Sequence, residues 1–149
     1  MSTKRSIILR GTPIVDEQGV AAAEVKPGYL VKTPAAGVAH QTASGTKAPF
    51  VIALERDELG QGIDNSLQGS GTETAFYASG DRVKVAYGYP GCVFTAYIAS
   101  GQDIAKDELL SSAGDGTLAT EATAEQAMCV SEEEIGAVTV TTAIKVRVI

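Results

Sequence analysis

An eleven-residue stretch near the end of the chain alternates between two sets of residues, and this pattern limits the folds open to it. One set is Val138, Val140, Thr142, Ile144, Val146 and Val148, and the other is Thr139, Thr141, Ala143, Lys145 and Arg147. A period of two places the sets on opposite faces of a β-strand. All six residues of the first set and two of the five in the second are β-branched, a composition that suits a pleated sheet. At roughly 3.3 Å per residue the strand would extend about 35 Å, unless a bulge or turn divides it.

Glycine-containing turn signals separate further short apolar stretches. They are Pro27-Gly28, Gly80-Asp81, Pro90-Gly91 and Gly114-Asp115-Gly116, in a chain with 16 glycines. Such spacing predicts an all-β sandwich or barrel. We predict one hairpin from residues 82–87 and 92–99 around the turn at 88–91, and another with its tip at 114–116. Other predicted strands are 29–33, 50–55 and 128–130, and helix is limited to one or two short turns, at 120–127 and 53–59.

The first thirteen residues differ from the rest and are predicted to form an arm, with one β domain at 14–149. Lys4, Arg5 and Arg10 bracket the apolar run Ile7-Ile8-Leu9. An arm with an apolar centre could add a strand to the sheet edge of a neighbour, although a frayed terminus or a simple first strand fits equally well. The polar, glycine-rich region 60–71 is predicted to be a long exposed loop.

Composition excludes several classes of partner. The formal net charge of −6 opposes binding to a nucleic-acid backbone, which requires clustered basic residues. Three consecutive apolar residues near the start are too few for a signal peptide, and no run approaches the roughly 18 residues of a membrane span. Cys92 and Cys129 form no CxxC pair and are predicted to be reduced, buried apolar groups.

We find no catalytic constellation and predict neither an enzyme nor a cofactor. His40 is the only histidine, has no ligand partner at metal-binding spacing, and is predicted to lie on the surface or in a loop. Ser44 and Lys47 match the S-x-x-K spelling, but in a turn region rather than on a helix. The carboxylates near residues 57, 107 and 133 lack the spacing of a calcium loop and are predicted to lie in solvated turns.

Several short segments follow one another along the chain in an order that indicates a protein family. These segments, taken from residue 10 onward, are RGTP, VKPGYLV, APFV, GID, YASGDRV, AYIASGQ, DELLSSAGDGTL and the closing VRV. In this order they resemble the head decoration, or cement, proteins of tailed bacteriophages. The likeness extends from about residue 10 to the end, and the stretch 67–74 departs from it as an apparent insertion.

The resemblance implies a β-barrel or β-tulip-like domain, commonly trimeric, on the outside of an icosahedral head. The implied partner is a major capsid protein of the HK97 type, bound after the shell expands so that neighbouring capsomers are bridged. We expect the protein to be made in the bacterial cytoplasm and to end in the virion. We predict an adhesive arm in which the capsid-binding residues are Lys4, Arg5, Ile7, Ile8, Leu9 and Arg10.

Two other classes remain as alternatives. A carbohydrate-binding or tail-associated β-module would need exposed aromatic platforms, and the one candidate cluster is Tyr87, Tyr89, Phe94 and Tyr97. A small trimeric hydrolase of the dUTPase kind would need a glycine-rich phosphate-binding tail, and the sequence closes instead on the predicted strand 143–149.

Overall fold

The structure is a computed structural model, and the residues it describes are 4–5, 7–16, 19–55, 63–64, 66–67 and 76–149. The described strands are β1 (Lys4–Arg5), β2 (Ile8–Arg10), β3 (Ile14–Asp16), β4 (Val31–Lys32), β5 (Ala39–His40), β6 (Val51–Ala53), β7 (Ile63–Asp64), β8 (Ser66–Leu67), β9 (Val85–Tyr87), β10 (Val93–Ile98), β11 (Leu109–Ser112), β12 (Leu118–Thr120), β13 (Cys129–Ser131) and β14 (Thr141–Val148). A single 3-10 turn, Ala124–Gln126, is the helical part of these residues. The predicted all-β class with very little helix is confirmed.

Five strands close into a barrel in the order β10–β12–β11–β13–β14, with β14 returning to β10. Four of the five pairings are antiparallel, and β10 with β12 is parallel at Ile98 and Leu118. An odd number of strands requires at least one parallel pair, because directions cannot alternate all the way around. The predicted barrel is therefore confirmed, and closure leaves none of its five strands at a free edge.

The C-terminal alternation forms the barrel wall as predicted. On β14, Ile144 and Val146 are fully buried and lie opposite Ala96 and Phe94 of β10, whereas Lys145 between them is exposed. The strand begins later than predicted, at Thr141. Before it, the N–H and C=O of Val138 bond to residues 102 and 101, and the chain bends at 139–140. This bend divides the predicted long strand.

A three-stranded antiparallel sheet, β3–β9–β6, separates two cores. Ile52 and Ala86 lie opposite each other and belong to the main core, which includes the barrel interior. Val51 and Val85, on the alternate positions, belong to a smaller core. The rest of that smaller core consists of Ala21, Val25, Val31, Val38, Ala53, Tyr77 and Val83. One side of this sheet thus supports the barrel, and the other is covered by residues 20–40 and 77–83.

The predicted hairpin of residues 82–87 and 92–99 is wrong. β9 pairs with β3 and β6, whereas β10 pairs with β2, β12 and β14. Residues 88–91 carry the chain from the small sheet to the barrel: the Gly88 N–H bonds to the Phe50 carbonyl, and the Gly91 N–H bonds to the Val148 carbonyl. Residues 88–91 have the composition of a turn, but the strand that follows them, β10, does not pair with β9.

The second predicted hairpin is confirmed. β11 and β12 pair antiparallel, with Leu110 opposite Thr120 and Ser112 opposite Leu118. At the tip, the Asp115 carboxylate accepts hydrogen bonds from the Thr117 N–H and hydroxyl. Aspartate commonly closes turns in this way, because its side chain reaches a backbone donor two residues later.

The remaining predictions have mixed outcomes. β4 and β6 lie within the predicted strands 29–33 and 50–55, β13 overlaps the predicted 128–130 but ends at Ser131, and the 3-10 turn lies within the predicted helical stretch 120–127. Of the predicted loop 60–71, the structure describes 63–64 and 66–67, which form β7 and β8, and the rest lies outside the described residues. The other helical candidate, 53–59, begins inside β6 and continues outside the described residues from position 56.

The two cysteines are unpaired and buried, as predicted. Cys92 and Cys129 both flank Val148: Cys92 shares backbone contact with it on the β10 side, and Cys129 lies opposite it on β13. A strand therefore stands between the two thiols. Burial raises the pKa of Cys129 well above its usual range, so this thiol is kept protonated.

Thr95, in the middle of β10, is fully buried, and its hydroxyl has no hydrogen-bond partner among the residues that the structure describes. A buried hydroxyl without a partner costs roughly 1–3 kcal/mol, and valine has nearly the same shape. We therefore expect Thr95→Val to raise the free energy of unfolding by about 1 kcal/mol in urea denaturation. The matched control is Thr142→Val, because the Thr142 hydroxyl donates to the Val140 carbonyl at 2.9 Å. Equal effects of the two substitutions would contradict this account.

Candidate functional site: the N-terminal arm and its seat

The described residues of the predicted arm, 4–5 and 7–13, lie along the body of the protein. The backbone of β1 pairs antiparallel with β7. β2 pairs antiparallel with β10 through Arg10 opposite Val93 and Ile8 opposite Phe94, with a register shift between these two pairs. The arm therefore adds an outer strand at one side of β10, before β12 joins that same side further along.

The structure assigns different surroundings to the six residues predicted to bind a capsid. Ile7 is 0% exposed, and Ile8 is partly buried against the same core. Leu9 is 42% exposed and Arg10 is exposed. For Lys4 and Arg5 the structure describes the backbone, in β1. Leu9 and Arg10 are thus the described side chains that this conformation offers to a partner, and capsid binding by the six residues stays a prediction.

Ile7 is held in a defined seat on the body. Its N–H donates to the Glu55 carboxylate at 3.2 Å, and its carbonyl accepts from the Thr95 N–H at 2.8 Å. Its side chain fills part of the main core. We call this set of contacts, made by Glu55, Thr95 and the edge of β10, the arm seat. Sequence reasoning missed Glu55 and Thr95, because no local pattern marks residues that meet across such a distance in the chain.

The backbone of Gly11 lies close to Cys92 at the end of the arm. Gly11 has φ of +93°, and a Cβ at this position would lie 2.8 Å from the Cys92 Sγ. Glycine satisfies both conditions, because it tolerates positive φ and has no Cβ. Gly11 and Thr12 are exposed, and Pro13 is partly buried just before β3 begins.

Exposed apolar side chains follow this turn directly. Ile14 is 54% exposed and Val15 is 43% exposed, and both lie on β3 at the edge of the three-stranded sheet. An exposed apolar edge strand is a known route to pairing with another chain. Sequence reasoning did not single out this pair, because adjacent β-branched residues are equally typical of an interior strand.

The charges of the arm and the body have opposite signs. Residues 1–13 contain three basic residues and no acidic one, which leaves nine basic and 18 acidic residues, or −9, in the rest of the chain. Exposed carboxylates at Asp103, Asp107 and Glu134 lie on two loops joined by backbone bonds between Ile104 and Ile135. Both loops are at the barrel end where β10 and β13 finish, so two predicted acidic turns meet there.

His40 was predicted to lie on the surface or in a loop, but it lies in β5 and is half-buried. Its ring stacks on Tyr29 with centroids 4.8 Å apart, and its Nε2 accepts the Lys26 N–H at 3.0 Å. Burial lowers the pKa of His40, and the positive charge of Lys26 lowers it further, although the carboxylates of Asp115 and Glu24 act in the opposite sense. The ring is therefore a neutral structural acceptor.

This arrangement predicts a pH dependence of stability. In the unfolded chain His40 titrates near its usual value of about 6.5, and in the folded chain it titrates lower. Stability from His40 is therefore complete above about pH 6.5 and is lost as the pH falls through the folded pKa. We expect the stability difference between wild type and His40→Gln to be constant above pH 7 and to shrink towards pH 5 in urea titrations. A difference that grows on acidification would contradict this sign.

No metal-binding arrangement occurs in the described part of the chain. Groups of three or more histidine, cysteine or acidic residues placed to hold a metal ion are absent from it. His40 is committed to Lys26, and Cys129 is kept protonated by burial. Among the described residues, no helix is long and apolar enough to cross a membrane.

The aromatic cluster considered for carbohydrate binding does not form a platform. Phe94 and Tyr97 are fully buried, and Tyr87 packs against the smaller core. Tyr89 alone of the four is well exposed, at 48%. One exposed ring gives little surface for stacking a sugar.

Comparison with known proteins gives a likeness at the level of the fold. No family model matches the chain, and no curated protein matches it in sequence. A solved structure of similar fold is the N base of the head fiber gp8.5 of bacteriophage phi29. The two share 15% sequence identity, and the superposition covers 93% of each chain with a TM-score of 0.58. The likeness therefore includes nearly the whole of this chain and shows its fold.

Proposed function

We propose that this protein is a structural component of a phage head, which binds the outside of an expanded icosahedral shell and stabilises it by bridging capsomers. The observation that carries the proposal is the shared fold with the base of a phage head fiber over 93% of both chains. The order of short motifs noted in the sequence supports the same class. The partner in this proposal is a major capsid protein of the HK97 type, and the protein acts as a homotrimer.

The arm offers a physical means of attachment. β2 stands at one end of the strand order in its sheet, so its outer edge has no strand partner among the described residues. Leu9 and Arg10 are exposed there. A strand of the shell could add to this edge through backbone hydrogen bonds, with the Leu9 side chain buried in the contact. Many copies bound to one lattice would make a weak single contact effective.

Imaging of reconstituted heads tests the proposal. Purified protein is mixed with expanded, undecorated heads, and the expected result is saturable density at local three-fold or quasi-three-fold positions. The variant Leu9→Ser/Arg10→Ser is expected to lower occupancy at least tenfold. Lys106→Ser is the matched control, because it removes one exposed positive charge far from the arm in sequence. Absence of density with the folded wild-type protein would refute the proposal.

A further inference from the structure

The contacts described between residues 7–10 and the arm seat are the same whichever copy of the chain supplies the arm. The Ile7 N–H donates to the Glu55 carboxylate, the Ile7 carbonyl accepts from the Thr95 N–H, and two residue pairs at β2 add to these bonds between residues 7–10 and the seat. The seat itself, Glu55 with Thr95 and the edge of β10, belongs wholly to the body. Nothing in this geometry requires that the arm and the seat belong to one molecule.

The connection between arm and body is a short hinge, residues 11–13. Gly11 and Thr12 are exposed, and a change of φ and ψ at glycine is inexpensive. Pro13 restricts its own φ and removes a backbone donor. Short hinges of this kind favour exchange of an element between copies. Three extended residues span about 10 Å, so an exchanged arm would require the two copies to be in direct contact.

The exposed apolar side chains cluster around this hinge. Large hydrophobic residues with high exposure in the described chain are Leu9, Ile14, Val15, Val20, Tyr89 and Ile149. Three of these six lie within three positions of the hinge, Leu9 on one side and Ile14 and Val15 on the other. When an element is exchanged, the hinges of two copies lie side by side, and the residues beside them become an interface. Exchange would therefore cover apolar surface that is otherwise exposed to water.

The charges of arm and body also permit this contact between copies. A body of −9 repels another body, but an arm of +3 is attracted to the body of any copy. The attraction between copies is therefore directed from arm to body.

We propose that copies of this chain exchange arms, so that residues 7–10 of one copy occupy the arm seat of the next. If each copy gives its arm to the next copy, the contacts between copies are head-to-tail. Such contacts close into a ring when the rotation that relates one copy to the next permits it. A ring of three, with a mass of three times 15.3 kDa or about 46 kDa, agrees with the predicted trimer. Ile7 anchors the exchange, and Ile14 and Val15 cover it. Arm exchange is proposed for the protein in the absence of any shell, so it can be tested independently of capsid binding.

A disulfide placed across the seat distinguishes the two arrangements. Arg10 and Val93 lie directly opposite each other in antiparallel strands, a separation that a disulfide can bridge. The double variant Arg10→Cys/Val93→Cys is made in a protein that also carries Cys92→Ala. The purified variant is oxidised, and its products are separated on a non-reducing denaturing gel. We expect most of the cross-linked protein as covalent trimer near 46 kDa, and none in the two single-cysteine controls. Cross-linked protein found only at 15.3 kDa would overturn the proposal.

A second measurement covers the case in which the double variant does not fold. The full-length variant Ile7→Ser, which lacks the anchor, is titrated with a fluorescent peptide of residues 1–12. We expect the peptide of wild-type sequence to bind saturably. The same peptide carrying Ile7→Ser is expected to bind at least tenfold more weakly. We also expect Ile7→Ser to reduce the light-scattering mass of the protein from about 46 kDa to that of one copy, 15.3 kDa. A wild-type protein that scatters as a single copy would overturn the exchange.

Discussion

Replacement of Phe94 by alanine is expected to lower the free energy of unfolding by about 3–5 kcal/mol. Phe94 is fully buried in the main core, and its ring centroid lies 5.1 Å from that of Phe50. Gly88 leaves no room beside the ring, because a Cβ there would lie 3.1 Å from Phe94 Cε2. The substitution would remove an aromatic pair and leave a cavity between barrel and small sheet.

Urea denaturation followed by circular dichroism measures the effect. Phe94→Leu retains most of the volume, and we expect it to cost clearly less than Phe94→Ala. Tyr89→Ala removes an aromatic ring that is 48% exposed and is expected to change stability by less than about 0.5 kcal/mol. If Phe94→Ala proved as mild as Tyr89→Ala, the barrel interior assigned here would be wrong.

Gly116→Ala is expected to cost roughly 2–5 kcal/mol through two separate effects. Gly116 has φ of +90°, which alanine adopts at a cost of about 1–2 kcal/mol. An added Cβ would also lie 2.9 Å from Tyr29 Cδ2, 3.1 Å from the Leu30 carbonyl oxygen and 3.2 Å from His40 Cβ. Backbone and a stacked ring pair surround the position, so the contact cannot be relieved by one flexible side chain.

The chain provides a matched control at Gly91. Its φ is +96°, yet a Cβ there would have no atom within 4 Å. Gly91→Ala therefore reports the conformational cost alone, and the difference between the two variants reports the steric cost at Gly116. Both are compared by urea denaturation at pH 7, where His40 is neutral. Equal costs for the two variants would show that the turn at 114–116 can move away from Tyr29 and His40.

The sequence predicts local structure here better than it predicts strand partners. The alternation at 141–148 and the hairpin at 114–116 are visible because neighbouring residues determine both. The hairpin at 88–91 was wrong because turn residues show that the chain reverses or bends, but do not determine which strand is met next. β10 finds its partner in β14, whose residues are more distant in the chain than those of β9.

In the arm, too, the local features could be predicted from the sequence, whereas the contacts with distant residues could not. Its basic charge and its apolar centre can be identified in the sequence of residues 1–13. That Ile7 is buried whereas Leu9 is exposed depends on the seat, and Glu55 lies 48 positions away from Ile7. The exposure of Ile14 and Val15 likewise depends on β3 being an edge strand. Side-chain type alone gives no sign of these placements.

The way in which the barrel closes has a consequence for how the chain folds. β11 and β12 are joined by a short turn and can pair at once, but Val93 must find Arg147, 54 positions later, before β10 and β14 can join. Contacts between distant segments carry a large loop-closure entropy and slow the search for the native topology. We expect the pairing of β10 with β14 to dominate the folding barrier. Refolding is then expected to take milliseconds to seconds rather than microseconds.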